Sequence, residues 1–125
     1  MLYGDDVDLT DRIIACGIEV HRHFGPGLSE SVYESALCIE LEAARLAFSR
    51  QVGIPLYYKG TLISEHRPDL VVASRVIVEG KSVERLDRIH LAQVLTYLRV
   101  SGLRTGLLLN FNSAMLKQGI RRVRL

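Results

Sequence analysis

The chain predicts an α/β (α+β) fold. Three observations carry that expectation. Apolar residues repeat at helical spacing through Leu46, alternate with other residues from Val52, and return to helical spacing over residues 85–100. Later, Gly106-Leu107-Leu108-Leu109 is a nearly unbroken apolar run, as in a strand buried on both faces. The 125 residues, 48% hydrophobic and 24% charged, fit a single globular domain over residues 1–125, with enough chain for one core.

Residues 9–23 read as the first helix, with Ile13, Ile14, Ile18 and Val20 as a rough apolar face and Thr10 or Asp8 as its cap. His21 and His23 are two apart, so a helix does not aim both at one ligand, and they read as surface or hinge residues. Phe24-Gly25-Pro26-Gly27 is a turn. A second helix follows over residues 29–46, where Val32, Ala36, Ile39, Ala43 and Leu46 repeat at helical spacing. Glu30 and Glu34 are i,i+4 neighbours on it: two solvated glutamates, or a carboxylate reaching a metal.

The strands come next. Val52, Ile54, Leu56 and Tyr58 alternate, with Pro55 marking an edge or a bulge and Lys59-Gly60 a turn. Residues 62–72 and 76–81 read as two more strands. Residues 85–100 form a helix with Leu91, Leu95 and Leu98 on one face. Residues 104–111 are a buried strand, and residues 119–125 a short last one.

Composition excludes some functions. No apolar run is long enough to cross a bilayer, and the first residues lack a signal-peptide pattern. Cys16 and Cys38 have no metal-like spacing and read as buried or incidental thiols in a reducing cytoplasm. The net charge of +2 favours no partner, but it is unevenly placed. The start is acidic (Asp5, Asp6, Asp8, Asp11) and the end basic (Lys117, Arg121, Arg122, Arg124), a solvated terminus or a surface for phosphates.

The chemistry concentrates in residues 67–81, where Asp69 precedes one apolar run and a second ends in Glu79-Gly80-Lys81. Charges beside buried strands need a partner or a metal. Residues two apart on a strand share a face, so Glu79 and Lys81 point the same way. A hard cation such as Mg²⁺ takes one or two carboxylates plus water and phosphate oxygens, and a neighbouring ammonium suits phosphodiester hydrolysis. The alternative is an ordinary ion pair on a sheet surface. Parity separates the two. A two-residue loop, Ala73-Ser74, puts Asp69 opposite Val78 and turns Glu79 away from it. A three-residue loop, Ala73-Ser74-Arg75, pairs Val72 with Val76 and puts Asp69 opposite Glu79. On the next helix Gln93 and Tyr97 are i,i+4, with His90 along the same edge, a polar ridge able to meet a nucleic-acid backbone or position water.

In this order the motifs resemble the GxxExxY protein family, within the PD-(D/E)XK nuclease superfamily. The naming motif is matched by Gly27-Leu28-Ser29-Glu30-Ser31-Val32-Tyr33. The resemblance continues through Tyr58-Lys59-Gly60, Gln93-Val94-Leu95-Thr96-Tyr97-Leu98 and Gly106-Leu107-Leu108-Leu109-Asn110-Phe111. It implies a restriction-endonuclease-like core, a central mixed β-sheet flanked by helices. It also implies Mg²⁺ or Mn²⁺ held by Asp69 and Glu79, with Lys81 as the catalytic lysine. Glu30 falls at the position of the first-helix acid of RecB-like members, and Gln93 and Tyr97 match their Gln-x-x-x-Tyr motif. The chain departs from the pattern at Gly80, where a bulky apolar residue is usual; that side chain would face a covering helix, and glycine forfeits its packing. The expectation is a metal-dependent nuclease acting on DNA or RNA, free of membranes and able to form a homo-oligomer. The rivals are a catalytically weak nucleic-acid-binding protein and a protein-interaction module on the same fold.

Overall fold

The computed structural model describes the backbone of residues 2–125 and the side chains of residues 6–125, so the Asp5 carboxylate lies outside the described residues. The elements are α1 (Leu2–Phe24), α2 (Glu30–Ala43), β1 (Phe48–Arg50), β2 (Ile54–Tyr58), β3 (Thr61–His66), β4 (Leu70–Val72), β5 (Val76–Lys81), α3 (Arg88–Ser101), β6 (Thr105–Asn110) and β7 (Ile120–Arg124), with a 3-10 turn at Leu116–Gly119. Five strands form one sheet in the order β1-β4-β5-β6-β7. Only β5 and β6 run parallel, joined by the α3 crossover, so the sheet is mixed and flanked by helices as expected.

The sheet has a core on each face because its strands are apolar at both parities. Leu70, Val72, Val76, Val78, Leu107 and Leu109 pack with Ile13, Tyr33, Leu37 and Leu41 of α1 and α2. Ile77 and Leu108 pack with Val94, Tyr97 and Leu98 of α3 on the other side. The approach of α3 is close: a Cβ on Gly106 would stand 2.6 Å from Val94 Cγ1.

Several expectations are corrected. The first helix begins at Leu2, so neither Thr10 nor Asp8 is its cap; both lie inside α1, and the Thr10 hydroxyl donates to the Val7 carbonyl. His21 is buried rather than superficial, its Nε2 2.8 Å from the Ser113 carbonyl oxygen; His23 is exposed. On α2 the expected stripe turns outward at Val32 and Ile39, while Tyr33, Leu37, Cys38 and Leu41 face the core. Residues 62–72 are not one strand. The chain breaks at Arg67-Pro68-Asp69, leaving β3 paired only with β2 and β4 inside the main sheet. The expected irregularity at Pro55 is a bulge between Leu56 and Tyr57. Tyr97 lies in the packed face of α3 instead of on a polar ridge.

The basic end is not simply solvated. Arg122 pairs with Asp11 at 2.6 Å and bonds the Thr10 hydroxyl, and Arg124 lies 3.5 Å from Asp6. Asp6 is buried, held by Arg75 at 2.7 Å and Thr105 at 2.9 Å. The acidic start thus neutralises much of the basic end. Cys16 and Cys38 are buried free thiols, and burial pushes both pKa values up.

Candidate metal and active site

The β4–β5 hairpin sets the site. Val72 pairs with Val76 and Leu70 with Val78, the register of a three-residue loop. Ala73 and Ser74 take φ of 53° and 55° to make the turn. This is the parity that puts Asp69 across from Glu79. The two residues bond crosswise. The Asp69 N–H donates to Glu79 Oε1 at 2.7 Å, and the Gly80 N–H donates to Asp69 Oδ2 at 2.9 Å.

Lys81 completes the group. Its Nζ stands 3.6 Å from Glu79 Oε2 and 3.4 Å from Gln93 Oε1, so α3 and β5 share the ammonium. Tyr97, one helical turn after Gln93, presses its ring to His66 at 5.7 Å between centroids. Asp69, Glu79, Lys81, Gln93 and Tyr97 are therefore gathered at one end of the sheet. His90 is engaged elsewhere, where its Nδ1 accepts the Asp87 N–H at 2.9 Å and closes the start of α3.

The electrostatics are strained. Burial first, and then the Asp69 charge, push the Glu79 carboxyl up to about 7, although the Asp69 N–H and the Lys81 ammonium pull against them. Asp69 is raised mainly by burial, with the Glu34 and Glu30 charges adding to it. Burial and the same two carboxylates, Glu79 and Asp69, raise the Tyr97 hydroxyl. One ammonium is too little positive charge for two facing carboxylates.

Glu30 is placed differently. It is exposed, and its Oε2 accepts the Ser82 N–H at 3.1 Å, just past Lys81. Among the described residues no three acidic, histidine or cysteine side chains converge tightly enough to hold a cation by themselves. Glu34 approaches from the other side, paired with Arg50 at 3.0 Å. The Gln51 amide lies between Glu34 Oε1, at 3.2 Å, and Asp69 Oδ1, at 3.5 Å.

A family model of the PD-(D/E)XK nuclease superfamily matches residues 7–123. The chain belongs to that superfamily. No curated protein and no solved structure matches it. Nucleases of the PD-(D/E)XK superfamily generally use divalent metal ions and act on nucleic acid. The residues here fit such an ion: two facing, incompletely neutralised carboxylates are the ligand type a hard cation takes, with water and phosphate oxygens completing its shell. No helix among the described residues is long and apolar enough to cross a membrane.

Three supporting residues escape a reading of the sequence. Asn110 is buried at the end of β6; its Oδ1 accepts the Val83 N–H at 3.1 Å and its Nδ2 donates to the Val83 carbonyl at 2.9 Å. That clamp fixes the chain two residues past Lys81; the Gly106–Phe111 motif contains Asn110 but gives no sign of this role. Ser82 donates its hydroxyl to the Leu28 carbonyl at 2.8 Å. Gln51, with φ of 53°, leaves no sequence signal.

Proposed function

We propose that this chain is a divalent-metal-dependent nuclease hydrolysing phosphodiester bonds in DNA or RNA, and that it falls within the GxxExxY family. The family assignment is supported by the Gly27–Glu30–Tyr33 spacing. Asp69 and Glu79 hold the cation, Mg²⁺ or Mn²⁺. Glu30, whose carboxylate accepts the Ser82 N–H from the first turn of α2, would have to turn toward the pair to serve as a third acid. When bound, the cation polarises the phosphoryl group and lowers the pKa of its water.

The chain's own groups do the remaining work. Lys81, steered by Glu79 and Gln93, meets the negative charge that develops on phosphate. Gln93 and Tyr97 form the α3 side of the site, Gln93 steering Lys81 and the buried Tyr97 setting the helix against the carboxylates. The crosswise pairing of Asp69 and Glu79 carries this reading, since a sheet-surface ion pair has no reason to bring two carboxylates together. Two free, buried thiols fit a reducing compartment such as the cytoplasm. The outward apolar residues of α2 offer a face to a second copy.

The test combines binding and cutting. Calorimetry with Mn²⁺ should show binding to the wild type that Asp69→Ala and Glu79→Ala abolish. With Mn²⁺ added, single- and double-stranded DNA and RNA should be cut by the wild type and spared by Lys81→Ala. Equal Mn²⁺ binding by the wild type and both carboxylate variants would remove the ligand assignment. Salt-dependent nucleic-acid binding without cutting would leave a binding protein on this fold.

A further inference from the structure

We propose that the β2–β3 hairpin is a base-stacking platform, so that the site's substrate is a nucleic acid with unpaired bases close to the scissile bond. The proposal rests on the nuclease reading of the Asp69–Glu79 site and narrows its substrate class.

The hairpin stands apart from the five-stranded sheet, its two strands paired only with each other. Its root is anchored. Ile54 is buried beside Val94 and Tyr97, and His66, across from Ile54, meets the Tyr97 ring. Its outer part is apolar and uncovered: Tyr57, Tyr58, Leu62 and Ile63 are 56–64% exposed. Four large apolar side chains at one tip are unlike the single exposed residues that any surface carries.

The geometry favours bases as the occupant. Tyr57 and Tyr58 are consecutive on β2, so they point to opposite faces and each face presents a ring. The turn between the strands is tight, with Lys59 and Gly60 at φ of 49° and 81°, the pattern of a two-residue hairpin turn. It holds the Lys59 ammonium 5.5 Å from the centre of the Tyr58 ring. Lys59 is the sole charged residue in the segment 54–64, so the tip carries one positive charge and no negative one. Flat π-faces beside an ammonium suit a base and its phosphate. The hairpin also runs into the site, for β3 ends at His66, against Tyr97, three residues before Asp69. From His66 to the Lys59-Gly60 turn is about 20 Å at the rise of a strand, the length of about six stacked nucleotides. Paired bases hide their faces inside the duplex, so these rings serve unpaired ones.

Binding is measured without divalent metal, so that nothing is cut. Fluorescence anisotropy in EDTA compares an oligothymidylate with a duplex of the same length. The wild type should prefer the single strand. The Tyr57→Ala, Tyr58→Ala double variant should weaken that binding about tenfold or more. Its duplex binding and melting temperature should hold, and Tyr57→Phe with Tyr58→Phe should keep the single-strand affinity. Absence of single-strand binding by the wild type, or an unchanged affinity in the alanine variant, would overturn the proposal. So would sedimentation showing a dimer that Leu62→Asp converts to monomer, because the hairpin would then be covered by a second copy. Cutting in Mn²⁺ is scored separately. Tyrosine-dependent binding without cutting keeps the platform and removes the nuclease reading; cutting that ignores the tyrosines does the reverse.

Discussion

Asp69 and Glu79 hold each other across the β4–β5 hairpin: the backbone N–H of Asp69 donates to the Glu79 carboxylate at 2.7 Å, and the N–H of Gly80, the residue after Glu79, donates to the Asp69 carboxylate at 2.9 Å. Each carboxylate is thus oriented by the other's strand, and neither can swing away without losing a backbone hydrogen bond. The arrangement brings two negative charges together at a half-buried strand end. The pairing is electrostatically unfavourable on its own, and a cation bound as proposed would relieve it.

That penalty should be visible as a pH dependence of stability. Without metal, the Glu79 carboxyl in the fold is raised to about 7 from 4.5. Between those values the folded chain keeps a proton that the unfolded chain has released. Its contribution is therefore fully present below about pH 4.5, is lost as pH rises to about 7, and is flat above. The loss is on the order of 3 kcal/mol, at about 1.4 kcal/mol per pH unit. Asp69 is raised too and acts in the same direction. Denaturant unfolding in EDTA between pH 4.5 and 8 should show the decline, and Glu79→Gln should flatten it. A variant with the wild-type slope would mean that Glu79 is ionised throughout.

Lys81 should matter for turnover and not for folding or metal. Its Nζ lies 3.6 Å from Glu79 and 3.4 Å from Gln93, placed to act on a neighbour of the carboxylates. Lys81→Met keeps the stem and removes the charge. Single-turnover cutting should fall about 10²–10³-fold while Mn²⁺ binding persists. Cutting within about tenfold of the wild type would place the ammonium away from the reacting phosphate.

How much of this is legible in the sequence depends on how many residues speak together. The change of period marks the strand region, and the spacing between Asp69 and Glu79 confines the hairpin to one useful loop length. Strand β1 escapes because Phe48–Arg50 is too short for any alternation to register. The α2 core face is misread because that helix carries two apolar stripes, and Val32-Ala36-Ile39 competes on equal terms with Tyr33-Leu37-Leu41. Only the position of the sheet decides between them. Gln51 and Ser82 act through backbone placement and pairings across 17 to 54 residues, which local spacing does not encode.

Two glycines on the central strands should respond oppositely to alanine. At Gly80 an added Cβ would meet Phe111 at 3.5 Å and the Asp69 carboxylate at 3.7 Å, ordinary contacts. The position thus faces Phe111 and Asp69, not only a covering helix, and its space admits a methyl group. Gly80→Ala should be neutral or stabilising by about 0.4–1 kcal/mol, through a less flexible unfolded chain. At Gly106 the same atom would stand 2.6 Å from Val94 Cγ1 and push α3 outward. Gly106→Ala should destabilise by about 1–3 kcal/mol and weaken Lys81-dependent cutting, because α3 carries Gln93. Thermal melts of the two variants check the contrast; equal losses would mean that Gly80 has no room to spare.

The tyrosine that closes the Gly27–Tyr33 motif acts through the fold. Tyr33 is fully buried, stacked on Phe111 at 4.6 Å. Its hydroxyl donates to the Gly25 carbonyl at 2.5 Å and accepts the Leu28 N–H at 3.1 Å. The turn it pins holds Ser82 in two places, through the Leu28 carbonyl and the Glu30 carboxylate, and Ser82 directly follows Lys81. Tyr33→Phe keeps the stacked ring and deletes the oxygen that ties the turn together. It should lower stability by about 1–2 kcal/mol. It should also reduce cutting without removing Mn²⁺ binding, because the looser turn blurs Lys81 while leaving the Asp69–Glu79 pairing on its own strands. Glu30→Gln separates the roles within the motif. If Glu30 reaches the metal, this variant weakens Mn²⁺ binding at nearly unchanged melting temperature; if it only docks Ser82, it behaves as a mild copy of Tyr33→Phe.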